Sequence, residues 1–147
     1  MPRSASLVLL ALGLAACSGA RPSVSDADLD RAAAAVGCFE TQAVALGDSV
    51  DGRLSESDCD FGDGTYADYY AFRLDDGARV TITHSSDDFD AYLVLYDGRG
   101  DSITSDDDGA GGLDSEISQR LRPGLYVIAA NSIETSTGRY TLDVFAD

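Results

Sequence analysis

The densest chemistry in this sequence lies in one loop, Ser105–Ile117, "SDDDGAGGLDSEI". Asp106, Asp107, Asp108, Asp114 and Glu116 crowd around Gly109, Gly111 and Gly112 in a chain of formal net charge −16. Carboxylates at such spacing repel one another unless water or a cation sits among them. The plainer expectation is a solvated turn, because glycines permit a tight reversal and Asp side chains accept from nearby backbone N–H groups without any metal. The sharper expectation is calcium, which takes about six to eight oxygens from flexible carboxylates and carbonyls. It names Asp106, Asp108 and Asp114 as first ligands, with Asp107 and Asp90 contributing. Neither this loop nor "DCDFGDG" at Asp58–Gly64 follows the EF-hand order; in the second, Gly62 falls where a ligand belongs.

His84 is the sole histidine and ends "VTITH", with Ser85, Ser86, Asp87, Asp88 and Asp90 following. A Ser–His–Asp hydrolase can be sketched from these, but a triad is a matter of geometry and an oxyanion hole, which neighbours on one strand end seldom achieve. No G-x-S-x-G elbow is present. A surface or edge histidine and no catalytic residue are expected. "RGDS" at Arg99–Ser102 matches the integrin-recognition tripeptide, yet it continues a turn where Gly and Asp are what a hairpin needs. Of the tyrosines 66, 69, 70, 92, 96, 126 and 140, in-phase Tyr70, Tyr126 and Tyr140 belong to a core, and Tyr69 and Tyr92 are the ones expected to reach the surface.

The elements that would position these residues are strands. Tyr70, Phe72 and Leu74 alternate with Ala71 and Arg73; Val80 and Ile82 alternate in "ARVTITH"; "DAYLVLYD", "SEISQRL", "GLYVIAAN" and "GRYTLDVF" continue the pattern. Turn signals separate them at Asp75–Gly77, Asp97–Asp101, Arg122–Gly124 and Ser136–Gly138. With "SVDGRL" and "DSITS" the count is about eight strands at short spacing, the pattern of an all-β, jelly-roll-like antiparallel β-sandwich. Roughly a hundred residues suffice for one two-sheet core, so a single domain is expected over 38–147.

Ahead of it, "LVLLALGLAA" is too short to span a bilayer but suits the apolar region of a secretory signal. It ends in "LAAC", the bacterial lipobox pattern, and so resembles a lipoprotein precursor: residues 1–16 a signal peptide, Cys17 the lipidated first residue, 17–37 a tether. Several acyl chains together make a lasting membrane anchor. Within the tether Ser25 can cap a short helix over 26–36, Asp26 and Asp28 suit its amino end and Gly37 its exit. Such a helix is marginal unless it docks. Ser18 is not the aspartate of inner-membrane retention, which implies outer-membrane sorting, facing periplasm or cell surface, where the host has two membranes.

Removal of the leader takes away Arg3 and leaves 9 arginines against 26 acids, a net of −17, with no lysine at all. Such a surface disfavours nucleic acid and anionic headgroups, so the lipid is the membrane contact. With Cys17 lipidated, Cys38 and Cys59 remain as a disulfide pair in an oxidising compartment; the C-x₂-C spacing usual for zinc is absent.

"GDSVDGRLSESD", "DYYAFRLDDGARVTIT", "DDFDAYLVLYDGRGDSITSDDDGAGGLDSEI", "LRPGLYVIAAN" and "TGRYTLDVF" occur in this order. Together, over Ala45 to Phe145, they resemble the bacterial pre-peptidase C-terminal domain, a small jelly-roll module often appended to secreted proteases. The resemblance implies a non-catalytic sandwich assisting secretion, adhesion or substrate engagement, some of whose relatives bind calcium, fibrous protein or polysaccharide. Here a lipid anchor stands where a protease domain would. The expected function is therefore a lipid-anchored, non-catalytic envelope module binding a protein or glycan partner, with calcium as a modulator. A structural component of an envelope complex without small ligand, and a hydrolase, are the alternatives.

Overall fold

The computed structural model describes residues 23–147; the leader and Cys17 lie outside them. One helix, α1 (Asp26–Val36), precedes ten strands: β1 (Gln42–Ala43), β2 (Asp48–Leu54), β3 (Cys59–Asp60), β4 (Tyr66–Leu74), β5 (Ala78–Ser85), β6 (Ala91–Asp97), β7 (Ser102–Asp106), β8 (Ser115–Leu121), β9 (Gly124–Ser132) and β10 (Gly138–Ala146). One sheet runs β1-β4-β9-β6-β7, with β3 also on β4; the other runs β2-β10-β5-β8. The expected sandwich is what forms. The short β1 and β3 are the additions, and β1 pairs parallel with β4 through Gln42↔Tyr70, a departure from an all-antiparallel arrangement.

Period-two alternation aims one face of each strand at the space between the sheets. There Tyr70, Phe72, Val80, Ile82, Leu93, Leu95, Ile128, Leu142 and Val144 form one core, with Phe72 stacked on Tyr126 at 5.4 Å between ring centroids. Each such side chain contributes roughly 1.5–3 kcal/mol by leaving water. β9 is apolar on both faces because it is central and covered twice: Tyr126, Ile128 and Ala130 face the core, and Leu125, Val127 and Ala129 face outward beneath α1.

The helix forms where its caps predict. Ser25 Oγ accepts from Asp28 N, the Asp28 carboxylate accepts from Ser25 N, and Gly37 closes the exit at φ 74°. It docks. Ala32, with Leu29 and Val36 beside it, packs on Ala67, Tyr69 and Ala71, and the Arg73 guanidinium reaches Asp28 Oδ1 at 3.1 Å. The Cys38–Cys59 disulfide ties the helix exit to β3 across 21 residues of sequence, which contributes roughly 3 kcal/mol on the chain-entropy model. This corrects the expectation for Tyr69: it is 5 % exposed, because it points to the outer face of its sheet and α1 covers that face. Tyr92 is half-buried in the same cluster, edge-on to Phe61. The "RGDS" segment is the β6–β7 turn. Arg99 pairs with Asp97 and Asp101 of its own turn, and a Cβ on Gly100 (φ 87°) would lie 2.4 Å from the Ala35 carbonyl oxygen of the docked helix.

Candidate binding cleft and its buried floor

A cleft of 740 Å³ opens at one end of the second sheet, walled by β2, β10, the β5–β6 turn and Asp114. Three of its four carboxylates serve the protein's own donors. Asp88 Oδ2 accepts from Arg139 N at 2.7 Å, Asp114 Oδ1 from Ser86 N at 3.1 Å, and Asp51 Oδ1 from Thr141 Oγ1 at 3.1 Å. Gly138, at φ 154°, lies so close to Asp88 that a Cβ there would come within 2.4 Å of it. The cations are arranged differently. Arg53 and Arg139 are directly opposed across β2 and β10, both exposed, and neither has a carboxylate within ion-pair distance among the described residues.

Beneath the cleft lies Tyr140, whose ring covers Gly52. Its hydroxyl donates to Asp68 Oδ2 at 2.5 Å and lies 2.6 Å from the Tyr70 hydroxyl, so a polar chain enters the edge of the core. Burial raises the Asp68 carboxyl to about 6 against the Tyr140 hydrogen bond, which acts in the opposite sense. Burial likewise pushes the Tyr140 and Tyr70 phenols upward. Sequence reasoning did not single out Asp68, although its signal was there: in "YADYYAFRL" it is in phase with Tyr70, Phe72 and Leu74.

His84 is no surface or edge residue. It is in phase with Val80 and Ile82 and is fully buried, edge-on to Tyr140 at 4.9 Å and Phe89 at 5.7 Å. Burial lowers its pKa to about 4, so the ring is neutral, with Nδ1 3.4 Å from the Tyr92 carbonyl oxygen. Its Nε2 and the Oγ of Ser115, its cross-strand neighbour, have no hydrogen-bond partner. Ser86 Oγ donates to Arg139 O at 2.7 Å and accepts from Asp88 N at 3.0 Å, which makes it a brace of the turn. The imidazole is sealed from solvent, and the Ser86 hydroxyl donates to Arg139 O rather than to it.

The acidic loop joins β7 to β8, as expected. Asp106 Oδ2 accepts from Gly109 N at 2.7 Å and Glu116 N at 2.8 Å, and Gly111 and Gly112 take positive φ. Asp106, Asp107 and Asp108 each present a carboxylate oxygen within 4.8 Å of the others. The remaining named ligands lie elsewhere: Asp114 turns into the cleft, and Asp90, outside the cluster, receives Ile133 N on its carbonyl. Three carboxylates, one already accepting two N–H bonds, supply fewer than the about six to eight oxygens calcium takes; water and backbone carbonyls would have to complete the shell.

Residues 66–146 match the family model of the bacterial pre-peptidase C-terminal domain. Among solved structures, the chain is similar to the pre-peptidase C-terminal domain of collagenase from Bacillus anthracis, at 21% identity and a TM-score of 0.58, over 71% of this chain and 94% of that one. It is also similar to Aeromonas hydrophila PliG, a periplasmic lysozyme inhibitor of g-type lysozyme, at 15% identity and a TM-score of 0.51, over 73% and 96% of the two chains. Both likenesses are of fold. No curated protein matches the chain.

Proposed function

The chain belongs to the bacterial pre-peptidase C-terminal domain family, and from that premise we propose that it is a non-catalytic envelope module that holds a protein or glycan partner in the cleft beside Tyr140. The observation carrying this reading is the state of the cleft itself. Its walls are preformed, with Asp51, Asp88 and Asp114 holding the turns and strands around it, while the His84 imidazole is sealed beneath. A preformed concave surface loses little ordering entropy on binding. Aeromonas hydrophila PliG, a periplasmic lysozyme inhibitor, offers an example of a sandwich of this fold engaged in binding. The "LAAC" lipobox supports attachment through Cys17 in the envelope, with residues 17–37 as tether and docking helix ahead of the 38–147 sandwich.

Filling the cleft tests the reading. Ser85→Trp places an indole among its walls from an outward position on β5. The expected result is loss of a partner retained by the wild-type chain from envelope extracts or glycan preparations, with the melting temperature unchanged. Retention by the variant equal to wild type would move the site elsewhere, and turnover of ester or peptide substrates would overturn the non-catalytic reading.

Calcium is the proposal's second element. Asp106, Asp107 and Asp108 would hold it with the weak affinity of extracellular modules, about 10⁻⁴–10⁻³ M. At ten times such a dissociation constant, mass action adds about 1.4 kcal/mol, or roughly 5 °C in melting temperature. Calorimetry at millimolar calcium is expected to show heat and that rise, both lost in Asp107→Asn/Asp108→Asn. A flat titration removes calcium from the function.

A further inference from the structure

Arginines are scarce here and acids abundant, so the free arginines are informative. Arg31 and Arg73 lie against Asp28, and Arg99 against Asp97 and Asp101. Arg53 and Arg139, by contrast, face each other across β2 and β10. Like charges directly opposite in a sheet destabilise it. Four carboxylates line the same cleft, yet Asp51, Asp88 and Asp114 bond to Thr141, Arg139 N and Ser86 N, and none takes either guanidinium. The cleft thus turns its carboxylates toward its own framework and leaves two planar, bidentate donors side by side. Planar guanidiniums take up oxyanions, carboxylates among them, through parallel pairs of N–H···O bonds.

We propose that Arg53 and Arg139 form a binding site for the carboxylate of an acidic saccharide; the proposal rests on the cleft being the binding site and names its ligand class. The lining decides against a peptide. Protein hot spots centre on Trp, Tyr and Arg in well-packed, desolvated pockets, whereas beside two exposed arginines this cleft offers Ser85, Ser86, Thr141, Asp51 and Asp87, and its only ring, Tyr140, is 4 % exposed. Hydroxyls and carboxylates at that density match the hydroxyls of a sugar, with the arginine pair taking the acid group. The chain's distant negative charge is screened beyond about 8 Å at physiological ionic strength.

The same face carries a control. Arg79 and Arg120 are likewise opposed, across β5 and β8, but lie outside the cleft. The experiment titrates the full chain in detergent with tri-galacturonate and with its neutral methyl ester, read by calorimetry. The acid is expected to bind and the ester at least tenfold more weakly. Arg53→Gln and Arg139→Gln are each expected to weaken the acid about tenfold or more, as loss of a charged hydrogen-bond donor does. In the free protein each is expected to raise the melting temperature slightly through relief of repulsion. Arg79→Gln/Arg120→Gln is expected to leave binding unchanged. Equal affinity for acid and ester, equal weakening by the Arg79/Arg120 variant, or a lowered melting temperature in the cleft variants would each overturn the site. If a glutamate peptide binds and the saccharide does not, the ligand class falls while the cleft stands; if Ser85→Trp retains its partner, the cleft falls with it.

Discussion

Gly52→Ala is expected to cost about 3 kcal/mol, a drop of about 11 °C in melting temperature for a domain of this size. A Cβ at this position would lie 2.1 Å from Cζ and 2.3 Å from Oη of Tyr140, distances no side chain tolerates. The tyrosine is held from the other side by Asp68 and Tyr70, so it cannot withdraw without breaking bonds of 2.5 and 2.6 Å. Two costs therefore combine: overpacking, roughly 1–3 kcal/mol, and exposure of polar atoms from a buried network, a similar amount. Denaturant melts of the single variant, Tyr140→Leu and the double variant would separate them. The glycine substitution is expected to cost much less in the Tyr140→Leu background, since the clashing ring is gone. Gly124→Ala serves as comparison, because its Cβ meets only ordinary contact with Tyr126 at 3.7 Å, and its cost is expected to stay within about 1 kcal/mol. Equal costs at Gly52 and Gly124 would show that Tyr140 is free to move.

Asp68→Asn is expected to stabilise the protein at neutral pH. The folded state raises the Asp68 carboxyl from its ordinary value near 3.8 to about 6, with burial the largest cause. Between those values the folded protein binds more proton than the unfolded chain, so stability falls as pH rises through the window and the full penalty is present above it. A rise of that size corresponds to roughly 3 kcal/mol for a fully buried group, and the carboxylate's partial exposure reduces it to roughly 1–2 kcal/mol. Asn keeps an oxygen to accept from Tyr140 and removes the charge. The difference between variant and wild type, measured by urea unfolding from pH 4 to pH 8, is expected to be near zero at pH 4 and to grow to that value by pH 7. The other carboxylates cancel in that difference. A flat difference, or a variant less stable at pH 7.5, would mean that Asp68 is well solvated or that its charge helps to hold Tyr140.

Much of the architecture is local and therefore legible in the chain. Alternation in "ARVTITH" and "GRYTLDVF", the turn dipeptides, Ser25 and Gly37 as helix caps, and two cysteines left to pair each follow from neighbours along the backbone, and each has its counterpart in the fold. The family is legible for the same reason, since it is a series of such segments in order. His84 and Asp68 were legible in principle: each sits in phase with apolar neighbours, and only their polar chemistry argued for the surface.

The cleft belongs to the other category. β2 and β10 come from opposite ends of the sandwich sequence, and only their pairing sets Arg53 against Arg139 and Tyr140 over Gly52. Tyr69 is covered because a helix far from it in sequence lies on that face, and Tyr70 meets Tyr140 across 70 residues. By itself the sequence determined the strands, the caps, the staple and the family, because hydrophobic period and turn chemistry act over a few residues. The tertiary structure alone decided which faces are covered, which arginines lack partners and which carboxylate is buried, because sheet order and burial come from contacts between segments that no local pattern relates.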